Sequence, residues 1–487
     1  MRRLALSARC ATLAKSLLAA TVVAVGLSGC QTAPTRVPLT DVAVPLPRLP
    51  LPDLNLPGLN LPVLLRTQGD GNFASYEWPD AFLAMNTLLS IEYPYTQHKG
   101  IDWSERYARF APRIEAAWES KDESAYYETL RQYAWSLYDR SVLLTGAPAV
   151  REAAVGGSYG FALARLADGT FFVRAVLPDG PAAAAGIEPG ARLLDWNGAP
   201  PEVALPDVPY WWDERPPATP EAGIRSRTRL LPRGPIGSTA TLTYANRGAP
   251  AQQATLAAVG DGYAMLDLFY PPVSLFDELD SPVQREALAG NIAYIHLHMF
   301  GPTLLTPFPG RAINRAVTAA IDAGAPALII DLRGNPGGDL RLVPQALQHF
   351  HDVPQLLTDA EYFEPEQGAF ARDARERLQI VPSLPFYDAP VVVMVDEHTA
   401  AAAEVFVYGL KRRGNVHVAG VERTAGSFAA GTRDIALPGG YYLTYPRGRL
   451  VDADGRVVVE AGKDGEGGIV PDWRLARTED AARKRFL

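Results

Sequence analysis

The sequence is almost without cysteine, having two residues, Cys10 and Cys30, in 487. It also lacks a basic cluster: 46 Lys and Arg stand against 54 Asp and Glu, a formal charge of -8. Neutralising phosphates needs clustered cations, so no nucleic-acid partner is expected. Long apolar runs are missing as well. The stretch Leu17 to Leu27 is too short to span a bilayer as a mature helix, and no other segment is apolar enough to cross one. With seven histidines and no cysteine cluster, neither a metal nor a cofactor is expected.

What remains is ordinary for a soluble globular protein: 47% apolar and 21% charged residues. Length calls for two or three domains. Arg2, Arg3, Arg9 and Lys15 precede the apolar stretch, which ends in Leu27-Ser28-Gly29-Cys30. This leader resembles a bacterial lipobox, implying an export signal over 1–29, cleavage before Cys30 and lipidation there. Gln31 follows where Asp would favour inner-membrane retention. The expected location is therefore the cell envelope, lipid-anchored to the outer membrane and facing the periplasm. Losing the leader's four cations moves the formal charge from -8 to -12. A mature chain lipidated at Cys30 has no thiol left for a disulfide or a zinc site.

Residues 30–75 read as a tether, with Leu-Pro-Asp-Leu-Asn, Leu-Pro-Gly-Leu-Asn and Leu-Pro-Val-Leu-Leu in series. Proline at that density blocks helix and ladder hydrogen bonds and favours an extended arm. From 76 to 150 the pattern is helical. Phe82, Met85, Leu88 and Leu89 recur at three- and four-residue spacing, as do Tyr107, Phe110, Ile114 and Trp118, then Tyr126, Leu130, Tyr133 and Leu137. The aromatic stripe is expected to be core.

The segment 156–258 resembles a PDZ domain. The resemblance rests on Tyr159-Gly160-Phe161-Ala162, Val173 to Val176, the alanine run Pro181 to Gly186 with Pro189-Gly190, and Leu193 to Gly198. It implies that Tyr159, Gly160, Phe161 and Ala162 form a loop whose amides capture a peptide's terminal carboxylate, the peptide adding as a strand. An insertion from Pro206 to Pro232, with Tyr210, Trp211 and Trp212, is expected to form a local hydrophobic cluster.

The remainder, 259–487, alternates strands and helices. Ile292 to Met299 reads as a strand, Ile313 to Ala323 as a helix and Ala327 to Ile330 as a doubly buried strand. Val391 to Val395 then leads into a helix over Ala400 to Lys411. In such sheets chemistry sits at the strands' carboxyl ends. Asp331-Leu332-Arg333-Gly334-Asn335-Pro336-Gly337-Gly338 and Glu422-Arg423-Thr424-Ala425-Gly426 resemble signatures of the tail-specific, or C-terminal-processing, serine proteases. Leu437 to Gly440 and Ile469 to Asp472 resemble later landmarks of the same family. The implied fold is multidomain α/β: a helical domain, a PDZ-like β-rich domain and a crotonase-like tail-specific-protease core.

Such enzymes need a nucleophilic Ser at a strand-to-helix turn, a base, and backbone donors for the oxyanion. Gly337, Gly338 and Ala402 fall at the donor positions. The turn itself reads Thr399-Ala400-Ala401-Ala402-Ala403-Glu404, which puts Ala401 where the family has its serine. Ser427 occupies the place of one branch's lysine base, and Asp139-Arg140-Ser141 matches the tricorn-like branch's histidine turn, with Ser141 at the base position. Glu466 resembles that branch's supporting glutamate, one residue out of step. Thr399 and Ser427 are alternative hydroxyls, His398 an alternative base, and His296-x-His298 a weak metal pattern. The expectation is an envelope lipoprotein that binds protein C-terminal tails or unfolded segments without cutting them. The alternative is a serine endopeptidase with a rearranged site.

Overall fold

The computed structural model describes residues 71–269, 282–303 and 306–477, which belong to one compact unit, Leu51–Leu487. The leader, Cys30 and the proline-rich tether lie outside the described residues. Among those described, no helix is long and apolar enough to cross a membrane.

Three helices open the fold: α1 (Trp78–Glu92), α2 (Trp103–Ser120) and α3 (Glu123–Trp135). Side-chain caps start the second and third, Asp102 accepting from the Glu105 amide and Asp122 from the Ala125 amide. Lys121 ends α2 in the left-handed region. Their apolar stripes meet in aromatic pairs, Phe82 against Tyr133 and Trp78 stacked on Tyr126.

An antiparallel five-stranded sheet follows, in the order β1 (Phe161–Arg165), β2 (Phe171–Val176), β3 (Arg192–Trp196), β4 (Thr239–Ala245) and β5 (Gln252–Ala257). The insertion supplies α4 (Pro220–Leu230), capped by the Thr219 hydroxyl on the Ala222 amide. Helix α4 packs against the edge strand β1. Trp212 is buried and stacks near Tyr127, and the Trp211 indole donates to Glu128, so these aromatics serve packing against α3. The three helices and this sheet share one hydrophobic core.

The second core surrounds a six-stranded sheet, ordered β6 (Val283–Leu288), β7 (Ile292–Leu297), β8 (Leu328–Asp331), β9 (Val391–Val395), β10 (Val416–Gly420) and β11 (Trp473–Arg474). Only β6 runs antiparallel. Helix α5 (Pro309–Asp322) links β7 to β8, and α6 (Ala402–Leu410) links β9 to β10. Parallel strands need such crossovers, and the continuous apolar runs of β8 and β9 suit strands covered on both faces. Their carboxyl ends gather four loops, 298–303, 332–339, 396–401 and 421–428, on one rim of the sheet. A short strand Leu143–Thr145 pairs with Tyr441–Pro446, stitching the helices to the later part of the chain.

Candidate functional site

The site is built where β9 meets α6. Apolar pairing carries the chain to Val395, and Asp396 then turns it. One carboxylate oxygen of Asp396 accepts from the amides of His398 (3.0 Å) and Thr399 (2.9 Å), and both oxygens approach the Gly334 amide at 3.0 Å. Thr399 is fully buried and donates its hydroxyl to the Leu332 carbonyl at 2.8 Å. That hydroxyl braces two loops against each other and is not presented to a substrate.

Ala401 adopts φ 50, ψ -116, a conformation costly for any residue with a Cβ. The helix therefore begins at Ala402, two residues later than the sequence pattern suggests. The strain is held from outside by Glu404, fully buried in the first turn of α6. One of its oxygens accepts from the Ala401 amide at 3.0 Å. The other accepts from the Gly426 amide at 2.8 Å and from the Thr424 hydroxyl. Burial outweighs these donors and pushes the Glu404 carboxyl up to about 7. One side chain thus joins the β9–α6 turn to the loop after β10.

Gly337 presses against this turn. A Cβ there would sit 2.8 Å from the Ala401 Cβ and 2.9 Å from the Ala402 nitrogen, at φ 98. Gly338 runs beside Phe300 so closely that a Cβ would lie 2.2 Å from the Phe300 carbonyl oxygen. Of the three expected oxyanion donors, Gly337 spends its amide on the Asn335 side chain at 2.9 Å. That leaves the amides of Gly338 and Ala402 as the remaining expected donors.

The two base positions come together. Ser141 Oγ and Ser427 Oγ are 3.1 Å apart, and Ser427 Oγ is 3.4 Å from Asp139 Oδ1. Asp139, wholly buried, also accepts from the Ser141 amide (2.8 Å) and the Tyr93 hydroxyl (2.6 Å). Burial, reinforced by Asp139 and Glu460, raises the Tyr93 phenol well above its ordinary value. Beside this group Lys99 Nζ meets Glu460 Oε1 at 2.7 Å, and donates to the carbonyls of Ala461 (2.9 Å) and Tyr138 (3.0 Å). The second Glu460 oxygen accepts from the Phe428 amide at 2.7 Å. Burial pushes the Glu460 carboxyl up to about 8, against the pull of Lys99.

Tyr93, Lys99, Asp139 as an acceptor and Glu460 were missed in the sequence. A signal existed for Glu460, a lone carboxylate ending the run Val457-Val458-Val459. Glu466, singled out instead, is exposed, with only its backbone carbonyl engaged by the Gly462 amide. His398 is pulled down by burial, against Glu397 and Asp396. The rings of His296 and His298 lie 3.8 Å apart, tilted at 43° to each other, and no group of three metal-ligating side chains occurs among the described residues.

The expected peptide loop is placed at the start of β1, and its side chains face inward. Tyr159 and Phe161 pack edge-on against Trp196, with Phe161 1% exposed and Ala162 2%. Gly160, at φ 89, lies where a Cβ would meet the Ala182 nitrogen at 2.9 Å, and its amide donates to Ser158 Oγ at 3.1 Å. Phe161 is therefore a core residue, and truncating it would test stability, not recognition.

Residues 291–475 match the model of peptidase family S41. The chain is 30% identical over 253 residues to a carboxyl-terminal-processing protease of Picosynechococcus sp., covering 51% of this chain and 49% of that one. It is 28% identical over 158 residues to the carboxy-terminal processing protease CtpB of Bacillus subtilis, covering 32% and 29% respectively. The chain thus spans about half, or less, of the length of the curated relatives it matches. Among solved structures, mature CPAF is similar with a TM-score of 0.59 at 16% identity, over 84% of this chain and 94% of that one. Mature CPAF complexed with lactacystin gives a TM-score of 0.57 at 14% identity, over 84% and 95%. Such identities speak to fold alone. The likeness to peptidase family S41 is carried by residues 291–475, the stretch that its model matches.

Proposed function

We propose that this chain binds protein C-terminal tails or unfolded segments and does not cleave them. The observation carrying the reading is Ala401: the strained turn of a nucleophile is kept, braced by Glu404, around a methyl group. A methyl carbon cannot attack a carbonyl, and the nearby base positions hold two serines bonded to each other. In this reading the segment 156–258 is the PDZ-like module, and a tail adds along the outer edge of β1, which has β2 as its single strand neighbour. The core is crotonase-like, with its nucleophile position unarmed. Lipidation at Cys30 and the proline-rich tether would place the module at the envelope membrane, among tails of envelope proteins. Cleavage of casein and of an unstructured tail peptide by residues 31–487, with Ala401→Ser run in parallel, tests the reading. Tail binding without cleavage supports it. Cleavage that disappears in Ser427→Ala would replace it with a rearranged peptidase.

A further inference from the structure

Helix α4 carries Glu221, Arg225 and Arg229 at four-residue spacing, hence on one face. That face lies against the candidate site, and each charge meets its opposite. Glu221 pairs with Arg423 at 3.3 Å. Arg225 contacts Glu422 and lies 3.9 Å from Glu397, and Arg229 is also 3.9 Å from Glu397. Arg477, beyond β11, closes the group at 3.3 Å from Glu422 and 3.7 Å from Glu397. Burial would raise the Glu397 carboxyl, but Arg225, His398, Arg477 and Arg229 outweigh it and hold the group well below the carboxylate range.

The partners are not scattered surface charges. Glu397 follows Asp396, which shapes the β9–α6 turn, and Arg423 precedes Thr424, which bonds Glu404. The capping Thr219 methyl would touch a Cβ at Gly426 (3.1 Å), and Pro220 one at Gly465 (2.5 Å). The same helix packs on β1. Helix α4 thus contacts both β1 and the two loops that hold Ala401.

We propose that α4 is a charge latch on the candidate site. Closed, its three-charge face fixes the 396–401 turn against the 422–426 loop. Carboxylates of a bound tail compete with Glu397 and Glu422 for Arg225 and Arg229 and open it. The proposal rests on the tail-binding reading for its trigger, not for the latch itself.

Hydrogen exchange on the full chain separates the two. Raising the salt concentration screens the partly exposed pairs and is expected to speed exchange across 396–404 and 422–426, with the six-stranded sheet unchanged. Arg225→Glu with Arg229→Glu is expected to speed the same segments about tenfold or more at low salt, the scale of opening about 1.4 kcal/mol more easily. Arg225→Glu combined with Glu422→Arg is expected to restore protection. Salt-independent exchange in both segments overturns the latch even if the reversed variant fails to fold. An unstructured tail peptide with a free carboxylate is expected to speed exchange, and its C-terminal amide to have no effect. Equal effects of the two peptides overturn the trigger. Absence of peptide binding instead counts against the tail-binding reading and leaves the salt result standing.

Discussion

The hydroxyls of Ser141 and Ser427 lie 3.1 Å apart although 286 residues separate them. One residue leaves the helical region and the other follows β10, and the buried carboxylate of Asp139 receives both segments. The two positions expected from the sequence to hold a base therefore converge on one small volume. Here that volume holds two hydroxyls bonded to each other beside the Asp139 carboxylate, with neither a lysine nor a histidine at the two positions.

Restoring the nucleophile alone should consequently fail. Ala401→Ser places a hydroxyl on the strained turn, but serines stand at both expected base positions and Glu404 is committed to the Ala401, Thr424 and Gly426 donors, whereas a positioned base supplies about 10²–10⁴ in rate. The expected outcome is no tail-peptide cleavage above background for Ala401→Ser, and measurable cleavage when Ser427→Lys or Ser141→His is added. Efficient cutting by the single variant would mean that a base already exists in the site.

Glu404 makes the pH dependence of stability legible. Its folded-state value of about 7 stands above the ordinary 4.5, so the native state holds the proton more tightly than the unfolded chain. That contribution is present below about pH 4.5 and is lost as pH rises through 7, a total of about 3 kcal/mol. Urea denaturation from pH 5 to 8 should show wild type losing more stability across this window than Glu404→Gln does. The variant, presenting an amide to the Ala401 and Gly426 donors, is expected to be less stable at every pH, with the flatter slope as the diagnostic. Parallel slopes would remove Glu404 from the account.

The rim of the six-stranded sheet was readable because its chemistry is local. The run of alanines before Glu404, the glycines at 337 and 338, and the apolar strands β8 and β9 each state their geometry within a few residues. The charged cluster was not, because Tyr93, Lys99, Asp139 and Glu460 are ordinary residues until the fold buries them together. The expected peptide loop shows what burial adds to a sequence pattern. Tyr159-Gly160-Phe161-Ala162 resembles a binding sequence, yet burial commits its side chains to the core shared with Trp196. Periodicity marks a buried face without saying what covers it, and α4 was accordingly taken as part of an insertion with packing duties only.

Gly338 offers a sharp steric test. At φ 129, with the Phe300 carbonyl oxygen 2.2 Å from any Cβ, alanine cannot enter without moving β7's exit loop. Gly338→Ala is expected to lower stability by about 2 kcal/mol or more, from overpacking and backbone strain together. Gly198→Ala, also at positive φ but with nothing within 4 Å, isolates the backbone part and should cost about 1 kcal/mol. Similar losses in thermal denaturation for both would show that the approach to Phe300 is not the constraint.

Lys99 and Glu460 answer whether the cluster below Ser427 is held by charge. Both side chains are buried, 6% and 0% exposed, and Glu460 also anchors the Phe428 amide. Removing one partner leaves an uncompensated buried charge, whereas removing both leaves none. Above about pH 8, where Glu460 is ionised, Lys99→Met is therefore expected to cost about 3–5 kcal/mol, and less below it. Lys99→Met combined with Glu460→Gln should recover a substantial part of that loss, because the amide oxygen can still accept from Phe428 while no charge remains. Because Glu460 in the lysine variant escapes the penalty by taking a proton, the single variant should also lose stability more steeply than wild type as pH rises. Urea denaturation of wild type, the two single variants and the double variant closes the cycle. A double variant as unstable as the sum of the singles would show that the two residues act independently and that the pair is not a unit.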